Sequence, residues 1–592
     1  MKKLITYIIV LLIASTVSCT KNFTEINTNP EAYSSAEPAF VLPGVFYTTL
    51  NRFALTNIQN LWEHGHMIQQ QGRYNPGADD NWVKMYVNVL GNTAQLKKRF
   101  AGNPAYANTT AITDIWECYV YAFLVGSYGP CPYTYMGDIS NPYVLYDDEN
   151  TIYTSLLSRL KADAAAIKVT GGDKFTQDPI YGGDMSKWIK FANSLRLRIA
   201  LTVQKNLPAL AVSNIQDCMA NESQLLTSDA DDPKFNYGTA SGSQSQYNVT
   251  LSQSNSYTVS NGLLPTMSDY VFFWFRTYKD PRLDAYFTKA VKPFAIVDTL
   301  TSTADSKHYI VSYPIPHLGQ QKGLPSFIPS WTWVTPTHTT NDPPFNGASV
   351  INQNFSTPTA ALYASTRPFY IMTYAEVCFM KAEAALKGYG GSQTADQYYY
   401  AGINANFAFW GLSQTQATTY QTQNGIKWNT GSVGFYHQWT PVISSALSAN
   451  DNLRKIWLQQ WINYYDDGGF EAWLLQRRTQ NLTLPPHTQP GLGAAFTNAQ
   501  NLPDRFPYPA TEIANNPQGY LSGVKLLGGA DYQQTRLAFE ANYTPIDWNK
   551  VPSYYNISFV QQWYGNTIQA AQAGIVSQGA GVATDLKIIS SY

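Results

Sequence analysis

Charge is scarce in this chain. Asp, Glu, Lys and Arg make up 13% of its 592 residues, 39 basic against 40 acidic, for a net charge of −1. Neutralising nucleic-acid phosphates takes a basic excess, which this balance does not supply. Cysteine is scarcer still, five in all. Cys118, Cys131, Cys218 and Cys378 show neither the spacing of a disulfide framework nor that of a zinc knuckle. Cys118 and Cys378 fall within apolar helical patterns and read as small buried hydrophobes, while a Cys118–Cys131 bridge stays open. Catalytic signatures are missing: there is no G-x-S-x-G elbow, no H-E-x-x-H, no P-loop and no dinucleotide fingerprint. His64 and His66 form the one close histidine pair, and side chains two apart on a helix diverge. They read as ordinary structural residues, and no metal or cofactor is expected.

The N-terminus carries a local signal. Lys2 and Lys3 precede an apolar run from Leu4 to Ala14 that is too short for an ordinary membrane-spanning helix. Ser15 to Cys19 reads S-T-V-S-C, small residues ending in cysteine. That pattern resembles a bacterial lipobox, in which Cys19 becomes the acylated first residue of the mature chain. Several acyl chains together anchor a protein stably. The expected division is a signal peptide over 1–18, a polar and turn-rich lipidated tether over 19–38, and one helical domain over 39–592.

Helical periodicity dominates the remainder of the chain. In "TIYTSLLSRLKADAAAIKV" Ile152, Leu156, Leu157, Leu160, Ala164 and Ile167 trace one face. In "KWIKFANSLRLRIALTV" Trp188, Ala192, Leu195, Ile199 and Val203 do the same, with Asp184 or Ser186 as N-cap. "PFYIMTYAEVCFMKAEAALKG" predicts a helix with Pro368 near its start and Gly388 just past its end, followed by a second helix over "ADQYYYAGINANFAFWG". "LRKIWLQQWINYYD" and "FEAWLLQRR" supply a further pair. Two amphipathic helices joined by a tight turn make a helical hairpin. The fold class is therefore mostly α: irregular tetratricopeptide-like hairpins with long loop-rich excursions on one face. The irregular tracts, 226–265, 297–360 and 413–450, fall within two insertions over about 226–360 and 413–450. Their aromatic content argues for ordered loops.

Two kinds of side chain in this pattern suggest chemistry. Acidic runs at Asp79-Asp80, Asp147 to Glu149, Asp229 to Asp232 and Asp466-Asp467 could each furnish half of a carboxylate pair for glycoside hydrolysis. Asp147 to Glu149 also suit a helix N-terminus, and Asp466-Asp467 a turn. No EF-hand spacing surrounds the Asp229 group. The second kind is aromatic, 14% of the chain with 42 Tyr and 15 Trp. Such rings offer an apolar face and a polar edge, which suits stacking on sugars beside amide, carboxylate and guanidinium groups. Candidate ligand contacts are Arg73, Tyr74, Asn81 and Trp82 in one Gly/Pro-bearing stretch; Trp331, Trp333, Asn341 and Asp342 in a second; and Tyr436 and Trp439 in a third.

Several segments together resemble a known family. The element F-x-x-I-N-T-N-P at Phe23 to Pro30 is followed in order by "YDDENTIYTSLLSRL", "IYGGDMSKWIKFANSLRLRIAL" and "DPRLDAYF". Then come "YIMTYAEVCFMKAEAALKGYG", "IWLQQWINYYDDGGFEAWLLQRRT" and "RFPYPATEI". The chain resembles the SusD/RagB-type nutrient-binding outer-membrane lipoproteins of the Bacteroidetes from residue 19 to about 550. The resemblance implies a tetratricopeptide-like scaffold, no enzymatic activity, and a SusC-like TonB-dependent transporter that the protein covers as a lid. It implies delivery of a captured glycan, with a peptide as the alternative ligand; a surface glycoside hydrolase is the competing reading. It gives Trp188, Asn193, Arg196, Arg198, Glu376, Glu383, Arg477 and Arg478 structural roles, and no ligand residue transfers by motif. Departures are Tyr128 where relatives often carry Trp, Thr16 where Leu is commoner, and few acidic residues after Cys19.

Overall fold

The computed structural model describes residues 37–62, 65, 67–69, 79–137, 143–252, 265–268, 271–272, 274–275, 278–289, 295–314, 356–431, 433–434, 442–443, 449–480, 503–542, 576 and 587–591. The proposed signal peptide and most of the tether, Cys19 included, lie outside them.

Helices build the scaffold. Helix α1 (Pro38–Thr56) continues into a wider turn over Asn57–Leu61. A second helical run passes through Asp79–Val83 and Lys84–Leu90 into α2 (Gly91–Phe100). Helices α3 (Ala107–Tyr128), α4 (Glu149–Ala166), α5 (Met185–Thr202) and α6 (Pro208–Ala220) then pack each against the next. Helix α4 starts where the acidic run predicts: the Asp148 side chain accepts from the Thr151 amide, and Glu149 fills the first turn. Asp184 is the cap of α5, accepting from the Ser186 and Lys187 amides.

A second set comprises α7 (Tyr374–Leu386), α8 (Ala395–Phe409), α9 (Gln414–Gln421), α10 (Asp451–Asn463) and α11 (Gly469–Thr479). Helices α7 and α8 form the expected hairpin. Gly388 takes φ +75° just beyond α7, a conformation that costs other residues a steric penalty. Two short helices, α12 (Ala510–Asn515) and α13 (Pro517–Leu527), close the scaffold.

Three expectations need correction. Pro368 does not open α7. Phe369–Tyr370 instead pairs with Lys234–Phe235, a contact between distant segments, and the helix waits until Thr373 caps it. Within 413–450, residues Gln414–Gln421 are helical, because Ser413 and Gln416 form a capping box that outweighs their polar composition. Within 297–360, Ala295–Thr301 and His308–Pro314 pair as a hairpin, with Lys587–Ser591 as a third strand.

Buried charge pairs tie the helices together. Arg198 of α5 donates to both Glu376 oxygens of α7, at 2.7 and 2.6 Å, and to Glu471 of α11 at 3.1 Å. Arg478 of α11 forks onto Glu383 of α7 at 2.9 and 2.7 Å. Arg477 donates to the Gly126 and Asp504 carbonyls and pairs with Glu540. Arg196 pairs with Asp217, Trp188 donates to Asp178, and the Asn193 side chain donates to the Ile189 carbonyl. The structural roles implied for these residues hold. Cys118, Cys131, Cys218 and Cys378 are buried free thiols, so there is no Cys118–Cys131 bridge.

Removing one partner of a buried pair strands the other charge in a low-dielectric site. Arg198→Met is expected to lower unfolding stability by about 3 to 5 kcal/mol, measured by urea denaturation at pH 7.

Candidate functional site

The described chain flanking the aromatic-rich tracts meets at one seam. Strand β1 (Ile68–Gln69) pairs with Thr266–Met267, the Met267 amide donates to the Ser356 carbonyl at 2.7 Å, and the Ser268 amide donates to Met67. Phe287 bridges Pro358, and the Thr288 amide donates to the Thr357 carbonyl at 2.8 Å. Residue 69 precedes the tract bearing Arg73 and Tyr74, and residue 356 follows the tract bearing Trp331, Trp333, Asn341 and Asp342. The first stretch therefore leaves the scaffold beside the point where the second, far away in sequence, rejoins it.

The third tract has its base nearby. Val433–Gly434 pairs with Val442–Ile443 on either side of Tyr436 and Trp439. The Lys455 ammonium, 1% exposed, donates to the Lys427 and Thr430 carbonyls just before this pair, and the Asn452 side chain bonds Asn429. Gly425 lies so close to Tyr278 that an added Cβ would come within 2.6 Å of the ring. The Gly425 turn thus rests on the same 265–289 segment that carries the seam.

Under the seam lies an aromatic floor. Tyr286 stacks on Tyr465 at 4.2 Å between ring centres, and Trp410 tilts against Tyr286 at 4.4 Å. Trp274 stacks on Tyr278, and Trp62 on Tyr247. Two guanidinium groups stiffen it. Arg282, fully buried, holds Asp280, Asn406 and Gln459. Arg367 holds Asp466 and Asp467, whose carboxyl also accepts from the Tyr370 amide.

A cavity that shares Asp467 with this network is lined in part by Asn57, Tyr119, Arg198, Phe470 and Glu471. About 30 Å³ of it is open to the centres of water-sized molecules, room for roughly two waters. A sugar ring does not fit. Burial pushes the Glu471 carboxyl there up to about 7 against the pull of Arg198, and Glu376 adds to the rise.

Most predicted site residues lie outside the described ones: Arg73, Tyr74, Trp331, Trp333, Asn341, Asp342, Tyr436 and Trp439; so do His64 and His66, expected to be structural. Asn81 and Trp82 are described, and they are not at a surface. Trp82 is 3% exposed and enclosed by Tyr86, Tyr128, Tyr146 and Tyr508, at 4.8 to 5.9 Å between ring centres. Asn81 is 1% exposed and accepts from Arg52 and Thr56. Both belong to the core, because the helical run from Asp79 turns them inward. Sequence composition around them resembled a loop and hid that face.

Most described carboxylates of the acidic runs are likewise engaged. Asp80 pairs with Arg52, Asp147 accepts from Thr134, Asp231 pairs with Lys190, and Asp232 accepts from the Tyr374 amide. Among the described residues one group has metal-ligand spacing, Asp114, Cys118 and Asp163. Arg159 and Lys97 already fill it. Burial and the adjoining Asp114 push Asp163 up to about 9, so it keeps its proton at neutral pH.

Sequence profiles identify the kin. Residues 32–296 match the SusD-like family described as starch-binding and associating with the outer membrane, and residues 338–540 match the SusD and RagB outer-membrane lipoproteins. The chain belongs to the SusD/RagB family. Solved structures agree on the fold. A chitin-binding SusD homologue from Flavobacterium johnsoniae is 22% identical with a TM-score of 0.63, covering 85% of this chain and 99% of that one. A SusD-like protein from Bacteroides thetaiotaomicron is 20% identical with a TM-score of 0.64, covering 86% and 100%. A further chitin-binding protein is 21% identical with a TM-score of 0.66, again covering 86% and 100%. No curated protein matches the chain.

Two outcomes test the site's electrostatics and packing. Trp82→Ala is expected to cost about 3 to 5 kcal/mol of stability, seen as a lowered urea midpoint. Glu149, buried at the α4 N-terminus, is pushed up to about 7 from 4.5 by burial, although the Ala538 amide and two arginines oppose the rise. A carboxyl raised in the folded state makes that state bind more protons between the two values, so stability falls as pH climbs from about 4.5 to 7. Glu149→Gln should therefore lose less stability than the wild type between pH 5 and 8, by up to about 3 kcal/mol, in urea titrations at each pH.

Proposed function

We propose that this SusD/RagB protein is a non-enzymatic, cell-surface lipoprotein, anchored to the outer membrane through acylated Cys19. It captures an oligo- or polysaccharide and delivers it to a SusC-like TonB-dependent transporter as its lid. One observation carries the ligand reading: described residues that flank the tracts of Trp331, Trp333, Tyr436 and Trp439, namely Ser356 to Pro358 and the Gly425 turn, pack on the segment that carries Tyr278 and Tyr286. Rings presented from one base suit a neutral, hydroxyl-rich chain, whose apolar sugar faces stack on aromatics while amide and guanidinium groups bond its hydroxyls. Chitin binding by two proteins of the same fold supports this reading. Arg73, Tyr74, Trp331, Trp333, Asn341, Asp342, Tyr436 and Trp439 are the proposed contacts. Asn81 and Trp82 are withdrawn because they are buried.

Binding without hydrolysis is favoured by the acidic runs. Asp231, Asp466 and Asp467 are engaged by lysine or arginine and Asp232 accepts from a backbone amide, which ties up groups that glycoside cleavage would need free.

The test is a panel of chitin and starch oligosaccharides, other polysaccharides and peptides, titrated calorimetrically against the chain lacking residues 1–19. A glycan should bind, and Trp331→Ala and Trp439→Ala should each weaken it by about tenfold, some 1.4 kcal/mol. Binding of peptides alone would replace the glycan, and release of reducing ends by wild-type protein would establish a hydrolase.

A further inference from the structure

Lys455 is an unusual use of charge in a chain that carries little of it. The residue is buried, and neutral oxygens meet its ammonium. They are the Lys427 carbonyl at 2.9 Å, the Thr430 carbonyl, the Thr430 hydroxyl at 3.3 Å and the Asn452 side-chain oxygen at 3.5 Å. Burying an ammonium costs far more than burying an apolar side chain of similar length, so packing alone does not account for a lysine here. Three N–H donors directed at the oxygens of one turn do account for it.

That turn spans 425–430. Its Asn429 takes φ +58°, in the sparsely used left-handed region. Asn452, three residues before Lys455 and on the same side of α10, fixes it. The Asn452 side-chain oxygen accepts from the Asn429 amide at 3.0 Å, and its side-chain nitrogen donates to the Asn429 side chain at 2.8 Å. From α8, the Tyr400 hydroxyl accepts from the Trp428 amide, and the Tyr399 hydroxyl donates to the Ile426 carbonyl. Shortly after Thr430 the chain reaches Val433–Gly434, which pairs with Val442–Ile443. The turn held by α10 is thus the last fixed point before the third aromatic tract.

The surroundings of Lys455 leave its charge exposed to pH. On α10 itself Asp451 pairs with Arg454 at 3.9 Å, and the turn adds the exposed Lys427. Helix α8 presents Tyr399 and Tyr400, while α7 and α11 meet at Glu383, which takes Arg478 and the Trp457 indole N–H. Burial pushes the Lys455 ammonium down to about 8, with Asp451 opposing the fall. A neutral amine has one N–H fewer, and its hydrogen bonds are weaker than charge-assisted ones.

We propose that Lys455 and Asn452 are positioning residues for ligand capture: they fix the 425–430 turn from which the third tract departs, and affinity depends on the charge of Lys455. The inference rests on the function proposed above, in which that tract touches the glycan.

The test titrates the chain lacking residues 1–19 with chitin and starch hexasaccharides from pH 7 to 9. Wild-type affinity should fall about threefold over that range. Lys455→Met should be about tenfold weaker at pH 7 and show no further fall. Stability should move the other way. Between about 8 and 10.5 the unfolded chain holds a proton that the folded chain has released, so the wild type gains stability relative to Lys455→Met as pH rises. A lysine serving packing alone would leave affinity level or raise it with stability. At pH 7, hydrogen exchange over residues 425–434 should quicken about tenfold in Lys455→Met and in Asn452→Ala, with α7 unchanged. Wild-type affinity that stays level or rises from pH 7 to 9 overturns the proposal, as does exchange that both variants leave unchanged. Absence of hexasaccharide binding at every pH would count against the ligand reading alone, and the exchange comparison would then decide whether the turn is held as proposed.

Discussion

A guanidinium group buried in a helical core has to be answered by carboxylates, and in this protein the answers come from elements far apart in sequence. Arg198 on α5 meets Glu376 on α7 and Glu471 on α11. Arg282 gathers Asn406 of α8 and Gln459 of α10, and Arg367 gathers the two aspartates between α10 and α11. Hydrophobic burial would let these helices slide or rotate at modest cost, since apolar attraction is non-directional. A forked guanidinium on a carboxylate fixes both distance and angle. In a chain with so few charges, those spent in the core define the orientation of the hairpins. That orientation in turn sets where the aromatic floor lies.

The floor and the tracts it carries divide the labour that the family's chemistry requires. Tyr286 and Tyr465 are buried, stacked and hydrogen-bonded, with half-buried Trp410 against Tyr286, so the two tyrosines supply rigidity and not contact. The residues proposed to touch ligand belong to stretches flanked by described residues such as Ser356 to Pro358, which pair with the Met267 to Thr288 segment beside these rings. Structures about 20% identical to this chain share its fold over nearly their whole length.

Much of the scaffold was legible because helices advertise themselves locally. The 3.6-residue spacing in Ile152 to Leu160, the Asp184 cap and the glycine after α7 each depend on a few neighbouring residues. What sequence concealed depends on distant partners. Pro368 suits a helix start, yet pairing of Phe369–Tyr370 with Lys234–Phe235 claimed that segment first. Trp82 sits near glycine and proline and read as a loop aromatic, while its actual neighbours Tyr128, Tyr146 and Tyr508 lie 46 to 426 positions away. Asp466 and Asp467 read as a turn; the arginine they hold is about 100 residues upstream.

The turn after the first helix depends on residues made about 400 positions later. Asn57 donates to the Asp467 carbonyl, Trp62 to the Asp466 carbonyl, and Trp461 to Gly65, contacts spanning 396 to 410 positions. Closing loops of that length precedes any gain from the contacts themselves, so such regions form late. The chain therefore cannot complete its own beginning until most of it exists. Fragments released early would lack the β1 seam as well as the C-terminal helices. In this fold, chain completion doubles as quality control: the turn after the first helix closes only once residues 461–467 exist.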